Sequence, residues 1–169
     1  IHGKNHHRYG SFGNHIKNIK LIRTEEGIIN CKIDNNKDKN VEVIAFKNDH
    51  GDFENSFGFL FITKDKRILF SGDTGVSDNL MNYGENLDIL VHEVYSSETF
   101  KNKTDDWQIY HNAHHTSSID LGVIANKLKP KKLVLSHILF WGATEESLLD
   151  DVKSNFDGNA IIAKDLMVI

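Results

Sequence analysis

The sequence predicts one α/β unit, a mixed β-sheet with flanking helices. Three observations carry that expectation. The 169 residues suit a single domain with a sizeable core. The first part of the chain offers short β-branched or aromatic runs separated by turns. Further on, such runs alternate with segments that carry helix spacing and caps. No repeat, low-complexity segment or internal domain boundary interrupts this order, so residues 1–169 are read as one unit.

The elements follow in order. Residues 1–18, rich in Gly, His and Asn, read as loop, with His2, His6, His7 and His15 in it. "IKLIR" and "IINCKI" read as strands, and the polar "DNNKDKN" (34–40) as a hairpin or loop. "VEVIAFK", "FGFLFIT" and "RILFSG" are strands, the last two joined by a hairpin at 63–67. "LDILVHE" (87–93) is short enough for a buried strand. Residues 117–129 read as a helix with serine as N-cap and Pro130 just past its end. "KLVLSHI" (132–138) is the next strand. Residues 144–156 form a second helix, capped by Thr144 and stopped at Gly158. "NAIIA" and "LMVI" close the chain as strands.

Composition narrows the function classes. The net charge is −4 and the pI about 6.2, with no long basic run, so the overall field does not advertise nucleic acid binding. Cys31 is the single cysteine, which excludes an internal disulfide and any multi-cysteine zinc site. It points to a reducing compartment, and the expected location is the cytoplasm. No apolar run approaches the roughly 18 residues of a membrane helix, and no secretory leader pattern is present. The chain begins at Ile1, and the expectation is a removed N-terminus or a piece of a longer polypeptide.

The ten histidines are more than a chain of this size usually carries. Several polar residues stand directly after apolar runs: Asp73 after "RILFSG", His92 and Glu93 after "LDILV", His137 after "KLVLS". Sites in layered α/β proteins gather beyond the carboxyl ends of strands. Each residue alone also has a plain reading. Asp73 suits a turn, His137 a satisfied core position, His50 a surface loop, and a buried Glu93 a salt bridge. Together, nitrogen and carboxylate donors at separate strand ends suit zinc. "YHNAHHTSS" (110–118) places His111, His114 and His115 at spacing that fits one helix face. "HEVYS" lacks the second histidine of the H-E-x-x-H zinc helix, and no nucleophile elbow, Walker loop or dinucleotide fingerprint occurs. Phe140 and Trp141 could wall a pocket or pack beneath the last helix. Trp107, placed in the loop before the histidine cluster, could line the substrate side or anchor that loop.

The series "NDHGDFENSFGFLF", "ILFSGDTG", "LDILVHEVY", "HHTSS", "LVLSHILFWG" and "AKDLMVI" resembles the second half of metallo-β-lactamase-fold hydrolases, in the branch of ribonuclease Z-like enzymes. The resemblance implies an αββα sandwich with two metal ions, usually zinc, with Mn2+ or Fe2+ as alternatives. It makes His50 a ligand of the first metal, Asp73 the bridge between both, and His137 a ligand of the second. Glu93 in "HEVY" and His115 in "HHTS" match the pair that delivers a proton to the leaving group. The first metal motif of the family, H-x-H-x-D-H, is absent from these residues. The expectation is therefore the C-terminal half of the domain, needing the N-terminal half of its own fold. The implied activity is hydrolysis of a phosphodiester or related small ester by water activated between the metals. An arylsulfatase, a lactonase or an inert fragment are the alternatives. The expected partner is a small-molecule ester or phosphodiester, with RNA unsupported by charge, no membrane, and a homodimer as a further expectation.

Overall fold

The computed structural model describes the backbone of two strands, β1 (Ile19–Arg23) and β2 (Ile29–Ile33), and residues 41–169. Cys31 lies within β2, and the loop histidines His2, His6, His7 and His15 fall outside the described residues. The remaining strands are β3 (Glu42–Lys47), β4 (Phe57–Ile62), β5 (Arg67–Phe70), β6 (Ile89–Tyr95), β7 (Lys132–Leu139) and β8 (Ala160–Ile162). The helices are α1 (Asp78–Tyr83), α2 (Ser97–Phe100), α3 (Asp105–His114), α4 (Ser118–Leu128) and α5 (Glu145–Lys153).

The eight strands among the described residues form one sheet in sequence order. Pairing is antiparallel from β1 to β5 and parallel from β5 to β8. Parallel neighbours need crossovers, and α1 to α5 fill them. Right-handed crossovers that always step in one direction lay every helix on the same face of a sheet. The core follows that rule. Leu80 of α1, Leu121, Ile124 and Ala125 of α4, and Leu148 and Val152 of α5 pack on Phe46, Leu60, Leu69, Leu90, Leu133 and Leu135. Ser117 caps α4 by accepting from Asp120 N–H, and Thr144 caps α5 by accepting from Ser147 N–H, as the sequence predicts.

The opposite face is apolar too. The register aligns Val43, Phe61, Ile68 and Ile89 in one row and Ala45, Phe59, Phe70, Val91, Val134 and Ile161 in the next. Phe59 and Phe70 remain 40% and 42% exposed. Val43, Ala45 and Val134 of these rows are buried, but large rings left exposed on an apolar sheet face call for a second layer over them.

Three features differ from expectation. Residues 166–169 form no strand: Leu166 adopts φ +62° in a turn closed by Met167 N–H on the Lys164 carbonyl, which breaks the extended backbone after β8. Trp107 lies within α3 and not in a loop. Helices α1, α2 and α3 are not among the elements the sequence predicts; the first two are short, and α3 is too polar to show an apolar stripe. Among the described residues no helix is long and apolar enough to cross a membrane.

Candidate metal and catalytic centre

Because β4 runs antiparallel to both β3 and β5, strands β3, β5, β6 and β7 all point the same way. Their carboxyl ends therefore share one rim, and all five predicted site residues sit there.

His50 follows β3. Its Nδ1 lies 2.7 Å from the His114 carbonyl, which can only accept, so Nδ1 carries a proton and, in the neutral ring, Nε2 bears the lone pair. Gly51, at φ +54°, donates its N–H to the Ala113 carbonyl at 2.8 Å. A Cβ at this position would stand 2.2 Å from the His114 ring, so the loop reaches α3 only because residue 51 is glycine.

Asp73 follows β5 on a braced turn. Gly72, at φ +64°, packs where a Cβ would meet the Phe57 carbonyl at 2.5 Å. The Ser56 hydroxyl donates to the Asp73 carbonyl, and the Asn48 amide donates to the Ser71 carbonyl. Asp73 Oδ1 is 3.4 Å from His137 Nδ1, and both side chains are half exposed.

His137 is the extra residue of a β-bulge. Glu93 pairs with Ser136 and Val94 with Ile138, which leaves His137 without a register partner, at φ +42°. Such a bulge re-aims a side chain, and a non-glycine residue in this conformation is held there by its surroundings.

Glu93, 2% exposed, is the buried carboxylate of the rim. Its Oε1 accepts the Thr116 N–H at 2.7 Å, and its Oε2 faces His115 Nδ1 at 3.4 Å. Burial alone would lower the His115 pKa. The hydrogen bond and charge of Glu93, together with the Asp73 charge, outweigh it and raise the pKa above the usual histidine value.

The rings of His50 and His137 lie 5.4 Å and 5.9 Å from that of His115. The tightest donor set is not the predicted ligand trio: Glu93, His115 and His137 offer atoms within 4.8 Å of one another. Glu93 and His115 come together because they already pair, while Asp73 approaches His137 and His50 stands beside His115. These residues fit a metal. Glu93 Oε2 and His115 Nδ1 face each other at 3.4 Å and have no other partner among the described residues, the neutral His50 ring offers Nε2, and imidazole with carboxylate suits zinc.

His114 Nδ1 lies 2.7 Å from the Tyr110 carbonyl and Nε2 3.5 Å from Asp52, which ties the ring to α3 and the Gly51 loop. Asn48 and Thr116 carry no sequence signal of their own, yet they brace Asp73 and Glu93.

His92 is a separate case. Strand alternation turns it from Glu93 toward the helical layer, where it is fully buried with Nδ1 2.6 Å from the Glu93 carbonyl. Burial holds its pKa below the usual histidine value despite the Glu93 charge. On acidification the unfolded chain therefore takes up the proton first. Stability is full above about pH 6.5 and falls as pH drops toward the folded pKa, with a slope approaching about 1.4 kcal/mol per pH unit from this group. Urea unfolding of His92→Gln at pH 7.5 and 5.5 should show a shallower pH dependence than the parent; an unchanged slope would remove His92 as the cause.

No family model matches the chain. Ribonuclease Z of Archaeoglobus fulgidus is 30% identical over 103 residues, 60% of this chain and 31% of that protein. Ribonuclease Z of Bacillus velezensis is 34% identical over 125 residues, 72% of this chain and 38% of the relative. The match thus spans about a third of these relatives' length. Among solved structures, the metallo-β-lactamase fold protein YhfI from Bacillus subtilis aligns with a TM-score of 0.60 at 21% identity, over 73% of this chain and 47% of that one. The short form of human tRNase Z aligns with a TM-score of 0.58 at 22% identity, over 86% and 47%. The chain therefore has the metallo-β-lactamase fold and is ribonuclease Z-like in sequence.

Proposed function

We propose that this chain is the C-terminal half of a two-zinc hydrolase that cleaves phosphodiesters. The observation that carries the reading is the buried Glu93–His115 pair, 3.4 Å apart, set beside the imidazole and carboxylate donors of His50, Asp73 and His137. The ribonuclease Z relatives support a phosphodiester as the substrate class. In this reading His50, Asp73 and His137 would hold the metals, Asp73 serving both, and an N-terminal segment carrying H-x-H-x-D-H would complete the set. The open sheet face around Phe59 and Phe70 takes the second layer of the sandwich.

A zinc ion held by these residues would supply a water of lowered pKa and would offset charge on the phosphoryl oxygens. The chain's own residues do the rest. Glu93 is fixed by the Thr116 N–H and orients His115 through Nδ1. Glu93 also favours the charged imidazole, and it is from Nε2 of that form that His115 delivers a proton to the departing alkoxide. The His114 carbonyl holds His50 in the tautomer that leaves Nε2 open.

The direct test assays the intact protein, joined to its H-x-H-x-D-H segment and loaded with zinc, on a generic phosphodiester, an aryl sulfate and a lactone. Turnover of the phosphodiester above the other two, abolished by chelation and restored by zinc, is the expected outcome. Preference for the sulfate or lactone would replace phosphodiester with that substrate class, and no turnover of any would leave the inert-fragment alternative.

A further inference from the structure

His115 has a third ring neighbour. The centroid of His111 lies 5.4 Å away, and His111 is 6% exposed with neither ring nitrogen hydrogen-bonded among the described residues. Its ring stacks on Trp107 at 5.0 Å and 17°, and meets Trp141 at 4.7 Å and 62°. Trp141 packs in turn on Tyr95 and Phe100, and Lys103 Nζ stands 4.5 Å above its ring. The Trp141 backbone sits at φ +47°, which a bulky residue adopts only where its surroundings impose it.

The outer end of this stack is open. Trp107 is 55% exposed and Tyr110 is 44% exposed, their rings near perpendicular at 6.1 Å. With Asp106 they line a hollow of about 250 Å³. That is below the roughly 300 Å³ at which small-molecule pockets usually begin, so it admits one ring system and little more. The Asp106 carboxylate disfavours an anion inside it.

We infer that Trp107 and Tyr110 form a subsite for a planar aromatic leaving group, a nucleobase or an aryl ring, of the phosphodiester whose leaving oxygen takes its proton from His115. This rests on the proposed function. The leaving side is assigned because the group that His115 protonates departs next to it, and His111 continues from there to Trp107.

Three diesters of one nucleotide separate the outcomes, with a nucleoside, a phenol or methanol as the leaving group. In the intact zinc-loaded protein, Trp107→Ala should raise KM about tenfold or more for the nucleoside and phenyl esters, the scale of one base–aromatic stack, and leave the methyl ester unchanged. Trp107→Phe should recover most of the loss. A rise for only one of the two aromatic esters keeps the subsite and names its ring. With two tryptophans in the chain, quenching of the Trp107 fluorescence by a free nucleoside, absent in Trp107→Phe, gives a readout independent of turnover. Equal effects on all three esters, or no quenching difference, would overturn the subsite. A parent protein that cleaves none of the esters would instead count against the phosphodiesterase reading.

Discussion

Asp73→Ala in the intact, zinc-loaded protein should lower phosphodiester turnover by about a thousandfold or more. That is at least the loss seen when one preorganised charge partner of a transition state is removed. The size follows from the role proposed for Asp73, since a bridging carboxylate serves both ions. Stability of the metal-free fold should hardly move. The side chain is half exposed, and its ion-pair contact is His137 at 3.4 Å, a pairing of the kind worth about 0–1 kcal/mol at a surface. The turn is braced through the backbone by Ser56 and by Asn48, neither of which touches the Asp73 carboxylate. Metal analysis should find fewer than two zinc ions per chain. A variant that keeps both ions and unfolds at the parent temperature would refute Asp73 as the bridge.

Much of this rim is legible in the sequence, for a physical reason. A polar residue just after an apolar run marks a strand end, and parallel strands bring their carboxyl ends together. Asp73, Glu93 and His137 are each found that way. His50 does not stand directly after an apolar run, since Lys47, Asn48 and Asp49 separate it from "VEVIAF", and so is an exception in the sequence. The sheet removes the exception: β3 is parallel to β5, so the loop after β3 opens on the same rim. His92 and Glu93 are neighbours in sequence and opposites in space, as the two-residue period of a strand requires. One joins the helical layer and the other the rim.

The remainder depends on contacts between distant segments. Nothing in "LVLSHILFWG" announces that His137 is the bulged residue, because the bulge exists only in the register between β6 and β7. The tie from His50 to the His114 carbonyl links residues 64 positions apart. Helix α3 is obscure because its histidines and Trp107 face one another and the rim, so its sequence lacks the stripe that packing on a core imposes. The segment 166–169 misleads in the opposite sense: its apolar residues have strand character, but a strand needs a neighbouring edge, and none pairs with it among the described residues. The two failures share a cause, since periodicity reports local burial and not the partner that provides it.

His115→Ala should lower kcat by about a hundredfold to ten-thousandfold for diesters with alkoxide leaving groups, the usual range for general acid catalysis. For p-nitrophenolate, which departs without a proton, the loss should be small. Zinc content should stay at the parent value, because in this reading His115 holds a proton and no ion. Glu93→Gln separates orientation from charge. The glutamine oxygen can still accept the Thr116 N–H, but the neutral amide no longer favours the charged imidazole that Glu93 sustains. The acidic-side limb of kcat should be retained while the fall at high pH moves to lower pH, with a loss of about tenfold to a hundredfold for alkoxides. The close Glu93, His115 and His137 set permits a rival outcome, in which His115 is itself a ligand. In that case His115→Ala would lose zinc and slow every ester alike, whatever its leaving group, and the proton-donor role would fall.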